Sequence, residues 1–106
     1  MNINIDNNSY EIYLSSNGVM MIEDLLGMSL AQLEGKKMGF KSIIVMLCGC
    51  LWQKNKLSLE EVGDLFDKMI ESERYQISDI NKIIKEEITR WSGKIKNKNS
   101  LDDKKK

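Results

Sequence analysis

The sequence contains no histidine and no proline, and its 16 basic residues are balanced by 16 acidic ones. Without histidine, the chain lacks the commonest general base and the commonest metal ligand. Without proline, its helices have no built-in interruption. A net charge of zero leaves no basic surplus to neutralise phosphates, so nucleic acid is not an expected partner. With 106 residues, the chain is long enough for one domain around one modest core.

Long apolar runs are also missing. The longest run, residues 43–51, is far shorter than the roughly 20 residues of a membrane-spanning helix, so no membrane partner is expected. The first residues lack the basic and apolar regions of a signal peptide, which makes a secreted location unexpected. We therefore expect the cysteines to be reduced.

Both cysteines of the chain, Cys48 and Cys50, lie in the apolar segment 43–52. On a helix, residues two apart are separated by about 200°, so these thiols face nearly opposite sides. They cannot form a disulfide or share one ion without unwinding the helix, and a zinc site needs about four ligands. We predict two buried core residues, no metal, no cofactor and no catalytic residue, because no nucleophile has a base beside it.

The pattern of apolar residues predicts a mainly α fold with one small β element. Residues 2–14 alternate around the turn-forming residues 6–9, which indicates an N-terminal β-hairpin that must pack on helices. Apolar residues then recur at helical spacing. The predicted helices span residues 19–26, 40–54, 59–70 and 78–91, with a short turn at 29–33 and a loop at 34–39. The expected architecture is the hairpin followed by a compact bundle of about four helices.

The helix ends carry recognisable capping residues. Asn17 is predicted to cap the first helix, and Gly27 to end it in a left-handed conformation. Ser58 and Glu61 have the spacing of a capping box. Ser78 is predicted to cap the last helix, whose outer face, including Arg90, is expected to be ordinary solvated charge.

The composition changes after Gly93, where charged residues dominate and periodicity stops. We expect a single helical domain over residues 1–93 and a disordered, flexible charged tail over residues 94–106. Inside the helices, Gly49 and Gly63 interrupt strong apolar patterns. Because glycine destabilises a helix interior by about 1 kcal/mol relative to alanine, we predict that both mark close helix crossings.

Several large apolar residues are candidates for partner contacts as well as for the core. Met20 and Met21 are adjacent, so both are difficult to bury on one narrow stripe. Methionines fill cores but also form adaptable binding surfaces, and tryptophans at helix ends are either core residues or interface anchors. The predicted partner-binding residues are Met20, Met21, Trp52, Phe66 and Trp91.

Three segments together resemble a known family. They are NGVMMIEDLLGMSLAQL at residues 17–33, FKSIIVMLCGCLW at 40–52 and LSLEEVGDLFDKM at 57–69. Their order and spacing behind a short strand pair are similar to those of small tail assembly chaperones of long-tailed bacteriophages, a group that includes gene transfer agent tail proteins. The resemblance covers roughly residues 10–91, and its most specific part is residues 58–65.

This resemblance implies a non-catalytic role in virion morphogenesis. Such chaperones bind the long, helical tape measure protein, recruit tail tube protein and then leave. The implied location is the cytoplasm of the bacterial host, with the chaperone absent from the mature particle. Self-association is a further expectation, because a protein that binds helices exposes apolar surface.

Three other functions stay open from the sequence. A helix-turn-helix regulator or antitoxin would fit residues 56–70, but it would need a basic recognition helix. A structural tail component would remain in the particle. A small enzyme would need a cluster of reactive side chains that the sequence does not suggest.

Overall fold

The structure, a computed structural model, describes residues 2–33 and 39–104. This part of the chain is mainly helical, as the apolar pattern predicted, and contains one β-hairpin. In chain order the elements are β1 (Asn2–Ile5), β2 (Asn8–Glu11), α1 (Ser16–Leu26), α2 (Leu30–Leu33), α3 (Phe40–Asn55), α4 (Leu59–Glu71) and α5 (Ile77–Lys104). Four of these helices have at least 11 residues, and α2 is a single turn.

The hairpin is antiparallel and has a two-residue turn. Asp6 and Asn7 form the turn with φ angles of 50° and 65°. Left-handed backbone at both central residues gives a turn whose twist matches the strands, and Asp and Asn tolerate it better than most side chains. Ile3 and Ile5 point into the core. The predicted hairpin is confirmed, although its turn uses only the first two residues of the turn-forming cluster.

The N-cap of helix α1 lies two residues before the predicted one. The Ser15 hydroxyl accepts a hydrogen bond from the Gly18 amide, so Ser15 is the N-cap and Asn17 lies inside the first turn. The prediction of Asn17 as the cap was therefore wrong. Gly27 ends the helix with φ of 67°, as predicted. Ser15 serves as the cap because its hydroxyl accepts from the Gly18 amide, which has no carbonyl partner within the helix.

The short helix α2 is stabilised by a reciprocal cap. The Ser29 hydroxyl accepts from the Gln32 amide at 3.2 Å, and the Gln32 side-chain oxygen accepts from the Ser29 amide at 2.9 Å. The predicted loop at 34–39 lies outside the described residues except for Gly39, which immediately precedes α3.

Helix α3 is the centre of the core. Its nine consecutive residues from Ile43 to Leu51 are all buried, and it packs against β2, α1, α4 and α5. A helix surrounded on several sides needs apolar residues nearly all round, which is the pattern that the sequence shows. Within residues 2–33 and 39–104, no helix is long and apolar enough to cross a membrane.

Of the two helical glycines that were predicted to mark close crossings, only one does so. A β-carbon on Gly49 would lie 3.0 Å from the carbonyl oxygen of Gly18, so α3 and α1 meet backbone to backbone. A β-carbon on Gly63 would meet nothing within 4 Å. The prediction is confirmed for Gly49 and was wrong for Gly63, because α4 does not turn that side toward another helix at short range.

Helix α4 begins with the predicted capping box. The Ser58 hydroxyl accepts from the Glu61 amide at 3.1 Å, and the Glu61 carboxylate accepts from the Ser58 amide at 3.0 Å. Helix α5 instead begins at Ile77, where the Asp79 carboxylate accepts from the Gln76 amide at 2.9 Å. Ser78 therefore lies inside the first turn, and its prediction as a cap was wrong.

The backbone of α5 continues as a helix beyond Gly93 to Lys104. The predicted boundary at residue 93 thus does not coincide with an end of the helix. Whether residues 94–106 move as a flexible charged tail is a question of dynamics, and it stays a prediction, as does the assignment of residues 1–93 to a single domain.

Candidate functional site

The two cysteines are buried core residues. Cys48 and Cys50 are 1% and 0% exposed and both are free thiols. Burial, with a smaller contribution from the charge of Glu87, raises the pKa of Cys50 to about 12, and burial also raises the pKa of Cys48. A thiol with a raised pKa is a poor nucleophile and a poor metal ligand at neutral pH. In the described part of the chain, no three His, Cys, Asp or Glu residues are grouped as metal ligands.

Glu87 and Arg90 hold the segment that joins the hairpin to α1. Glu87 Oε1 accepts from the Leu14 amide at 3.0 Å, and Arg90 Nη2 donates to the Leu14 carbonyl at 2.7 Å. The two side chains also pair with each other at 3.0 Å, and the guanidinium lies 4.4 Å from the centre of the Tyr13 ring. Partial burial lowers the pKa of Arg90, but the hydrogen bond from Arg90 to Glu87 and the charge of Glu87 raise it by more, so the pKa is raised overall. The expectation that Arg90 is ordinary solvated charge was wrong.

The predicted contact residue Trp91 lies where α5 meets the start of α1. It is half-buried against the core, and its indole Nε1 donates to the Ser16 hydroxyl at 3.3 Å. Met20 follows one turn later on α1 and is 62% exposed, whereas Met21 is half-buried against the core. Of the predicted partner-binding residues, Trp91 thus contacts the start of α1, and Met20 is exposed on that helix.

Trp52 occupies a different position, near the end of α3. It is half-buried, and the Lys56 ammonium lies 5.1 Å from the centre of its ring. An ammonium over an indole face is a favourable but modest contact at an exposed site. Lys56 is also the C-cap of α3, with a left-handed backbone at φ of 54°. Trp52 is therefore explained by local structure, and its role in partner binding stays a prediction.

Phe66 belongs to the core. It is 4% exposed, and its ring meets the ring of Phe40 edge to face with centroids 5.3 Å apart. Because Phe66 is almost completely buried, it offers no accessible contact in the folded chain, and its prediction as a partner-binding residue is corrected. Phe66 shares the buried face of α4 with Val62 and Leu65.

Five further exposed apolar residues in the described part of the chain were missed as candidate contacts: Leu25, Phe40, Leu59, Ile77 and Ile95. Leu25 lies in the predicted first helix and is 42% exposed, Phe40 begins α3 and is 62% exposed, and Ile95, which was assigned to the tail, is 38% exposed on α5. Their exposure depends on where the neighbouring helices end, which helical spacing alone does not reveal. Ile95 follows Trp91 by four residues, a spacing that does place the two on one helix face.

An open polar hollow of about 640 Å³ lies between the hairpin turn and the end of α4. Its lining includes Asn7, Ser9, Ser72 and Arg74, all of them exposed. Small-molecule sites are usually enclosed and largely apolar, with a few well-placed polar groups. This hollow has neither property, so it does not indicate a small-molecule site.

Comparison of the chain with models of protein families, with curated proteins and with solved structures finds no match. Its function must therefore be argued from its residues and their arrangement.

Proposed function

We propose that this chain is a tail assembly chaperone of a long-tailed bacteriophage. In this role it binds the tape measure protein, keeps it soluble, and recruits tail tube subunits without catalysing a reaction. It acts in the cytoplasm of the bacterial host and is absent from the mature particle.

The order of three segments supports this proposal. Residues 17–33, 40–52 and 57–69 resemble the chaperone family and form α1 with α2, most of α3, and most of α4 respectively. The element order expected from that resemblance, a strand pair followed by helices, is also the order in this chain.

The main structural support is the exposure of Met20 on α1 and the half-burial of Trp91 on α5. Met20 is 62% exposed on α1, and Trp91 reaches the first residue of the same helix through its bond to Ser16. Flexible methionine side chains and a tryptophan with one polar edge are suited to holding the apolar face of a partner helix. A tape measure protein is helical and long, so before tube assembly it would present such faces.

Four polar side chains with several hydrogen bonds serve the fold. Glu87 and Arg90 are occupied by the backbone of Leu14, and Ser58 and Glu61 cap α4. A regulator or antitoxin and a structural tail component remain as alternative functions, and each can be tested separately.

The first experiment is co-expression with the proteins encoded immediately downstream of this chain. We expect it to capture a long, coiled-coil-rich protein that is insoluble when expressed alone. Met20→Gln should reduce the captured amount, whereas Glu60→Gln, a change at an exposed residue of α4, should not. If the long protein is soluble by itself and is not captured, the chaperone function is wrong.

Two measurements separate the alternatives. Mass spectrometry of purified particles should detect no copy of this chain, and a stoichiometric copy would instead favour a structural tail component. A gel shift at physiological salt should show no sequence-specific DNA binding. A specific complex with DNA would favour the regulator.

A further inference from the structure

Asn17 is the only asparagine of the chain that is followed by glycine, and it lies beside the contact between α1 and α3. We propose that Asn17 is a deamidation site that is protected while α1 is closed and that reacts when the first turn of this helix opens. The inference goes beyond the proposed function and does not depend on it.

Deamidation of an asparagine needs only the chain itself and water. The backbone nitrogen of the next residue loses its proton, attacks the side-chain carbon Cγ and displaces ammonia, which closes a five-membered succinimide ring. Water then opens the ring. Cleavage of the bond from nitrogen to Cγ gives aspartate, and cleavage of the bond from nitrogen to the main-chain carbonyl carbon gives isoaspartate.

The glycine at position 18 makes this attack sterically easy, because no β-carbon shields its nitrogen. The packing of the helices itself requires a glycine here. A β-carbon on Gly18 would collide with the carbonyl oxygen of Gly49, so a larger residue would push α1 away from α3. The contact between the two helices therefore places the least hindered nucleophile directly after Asn17.

In the folded chain the Gly18 nitrogen is held away from this reaction. Gly18 is buried, and its N–H donates to the Ser15 hydroxyl at 3.1 Å. The side chain of Asn17 is exposed, but its backbone belongs to α1, which begins at Ser16. Ring closure needs a ψ angle far from the helical value of about −42°. Exposure of the side chain alone thus does not permit the reaction.

The first turn of α1 must therefore open before Asn17 reacts. Helix ends open locally at a lower free energy than the core, and a reaction confined to the open state follows the population of that state. The Ser15 hydroxyl sets this population, because it is the side-chain acceptor at this end of the helix. Removal of that hydroxyl should speed the reaction without unfolding the chain.

The two products should affect the fold in opposite directions. Aspartate at position 17 leaves the backbone unchanged and adds a carboxylate to the first turn of α1, which has no acidic residue and where the helix dipole favours negative charge. Isoaspartate instead carries the chain through its β-carbon and lengthens the backbone by one atom immediately before Gly18. That extra atom should prevent Gly18 from regaining its contact with Gly49.

Mass spectrometry of the full chain measures the reaction. The folded chain and the same chain in denaturant are incubated at mildly alkaline pH, which favours loss of the amide proton. Cleavage after Glu11 and Glu23 releases residues 12–23, in which Asn17 is the only asparagine. The acid is heavier than the amide, so the converted fraction is read from this peptide against an unincubated sample. We expect conversion to be at least about tenfold slower in the folded chain, and equal rates would overturn the proposal.

Two cap variants locate the opening. Ser15→Ala should speed conversion in the folded chain about fivefold, as the loss of a typical N-cap does to an open population. Ser58→Ala is the matched control, because it removes the corresponding hydroxyl from α4 and should leave the rate unchanged. Equal acceleration in both variants would assign the reaction to unfolding of the whole chain. That result, or an unchanged rate in Ser15→Ala, would overturn local opening as the controlling step.

The products are compared by urea denaturation. Asn17→Asp represents the aspartate product, and we expect its midpoint to be no lower than that of the natural chain. Chains converted in denaturant and then refolded are separated by an assay for isoaspartate. Those with isoaspartate at position 17 should unfold at a lower urea concentration, and an unchanged midpoint would contradict the predicted loss of the Gly18–Gly49 contact.

Discussion

Gly18 on α1 and Gly49 on α3 face each other at backbone contact distance. A β-carbon on Gly18 would collide with the carbonyl oxygen of Gly49, and one on Gly49 would lie 2.6 Å from Cγ1 of Ile22. Gly49 destabilises its own helix by about 1 kcal/mol relative to alanine. Close approach offsets this loss, because it lets the two helices pack without an intervening side chain.

Alanine at either contacting glycine should therefore destabilise the fold. We expect Gly18→Ala and Gly49→Ala each to lower the free energy of unfolding by roughly 1–3 kcal/mol, as overpacking does in other cores. Gly63→Ala is the control, since a β-carbon there meets nothing and helix propensity should add about 0.5–1 kcal/mol. Urea denaturation measures all three, and a stabilised Gly49→Ala variant would contradict the close contact.

The cap of α1 can be tested by two single substitutions. Ser15→Ala should lower the free energy of unfolding by about 1 kcal/mol, because it removes the acceptor of the Gly18 amide. Asn17→Ala should have little effect or a small stabilising one, since Asn17 is exposed within the helix and alanine is the better helix former. The opposite order in thermal or urea unfolding would place the cap at Asn17.

The bond between Glu87 and the Leu14 amide should contribute measurably to stability. Glu87→Ala leaves the Leu14 amide and the Arg90 guanidinium without this partner, in a place where the Glu87 side chain is only 14% exposed. We expect a loss of roughly 1–3 kcal/mol in the free energy of unfolding. Glu86→Ala, at the exposed neighbouring position, should change it by less than about 0.5 kcal/mol. Similar losses in both variants would indicate a helix effect instead.

The capping box should make stability depend on acidic pH. Hydrogen bonds from the Ser58 amide and hydroxyl lower the pKa of Glu61 below its ordinary value of 4.5. Because the pKa is lower in the folded state, the stabilisation is present above pH 4.5 and is lost as the pH falls through the folded-state pKa. The stability difference between the natural chain and Glu61→Gln should therefore shrink on acidification.

Urea denaturation at neutral pH and at about pH 3 measures that difference. Glu60→Gln is its control, because Glu60 lies in the same first turn but outside the capping box. A difference that grows toward acidic pH would contradict a lowered pKa of Glu61 in the folded chain.

The thiols should resist alkylation while the chain is folded. Cys50 is fully buried and its pKa is raised to about 12, so raising the pH from neutral to about 9 should barely increase its reaction with iodoacetamide. In denaturant both cysteines should react like free thiols. Rapid labelling of the folded chain would show that α3 opens readily, and mass spectrometry after proteolysis would identify which thiol reacted.

Several features of the fold follow from short-range patterns. The capping box at residues 58–61 and the left-handed Gly27 involve only neighbouring residues, so their chemistry is complete in the sequence. The alternation around Asp6 and Asn7 is equally local. The continuous apolar character of residues 43–51 predicted the buried α3, because a helix contacted on several sides cannot have a polar face.

The candidate site was only partly predictable. Adjacent Met20 and Met21 correctly pointed to an exposed methionine, because one narrow stripe cannot bury both. Phe66 was predicted as a contact residue but is buried, and the exposed Leu25 and Phe40 were missed, since the exposure of an apolar residue depends on which other helix covers it. Spacing along one helix carries no such information.

The sequence by itself determined the type and order of the elements and some of their ends, such as Gly27 and the capping box at Ser58, because these depend on backbone preferences and on side chains a few positions apart. The tertiary structure alone decided that Gly49 meets Gly18 while Gly63 meets nothing, that Glu87 binds Leu14 across 73 positions, and that Trp91 reaches Ser16. These contacts join residues that are distant along the chain. They exist only when the core has brought the helices together.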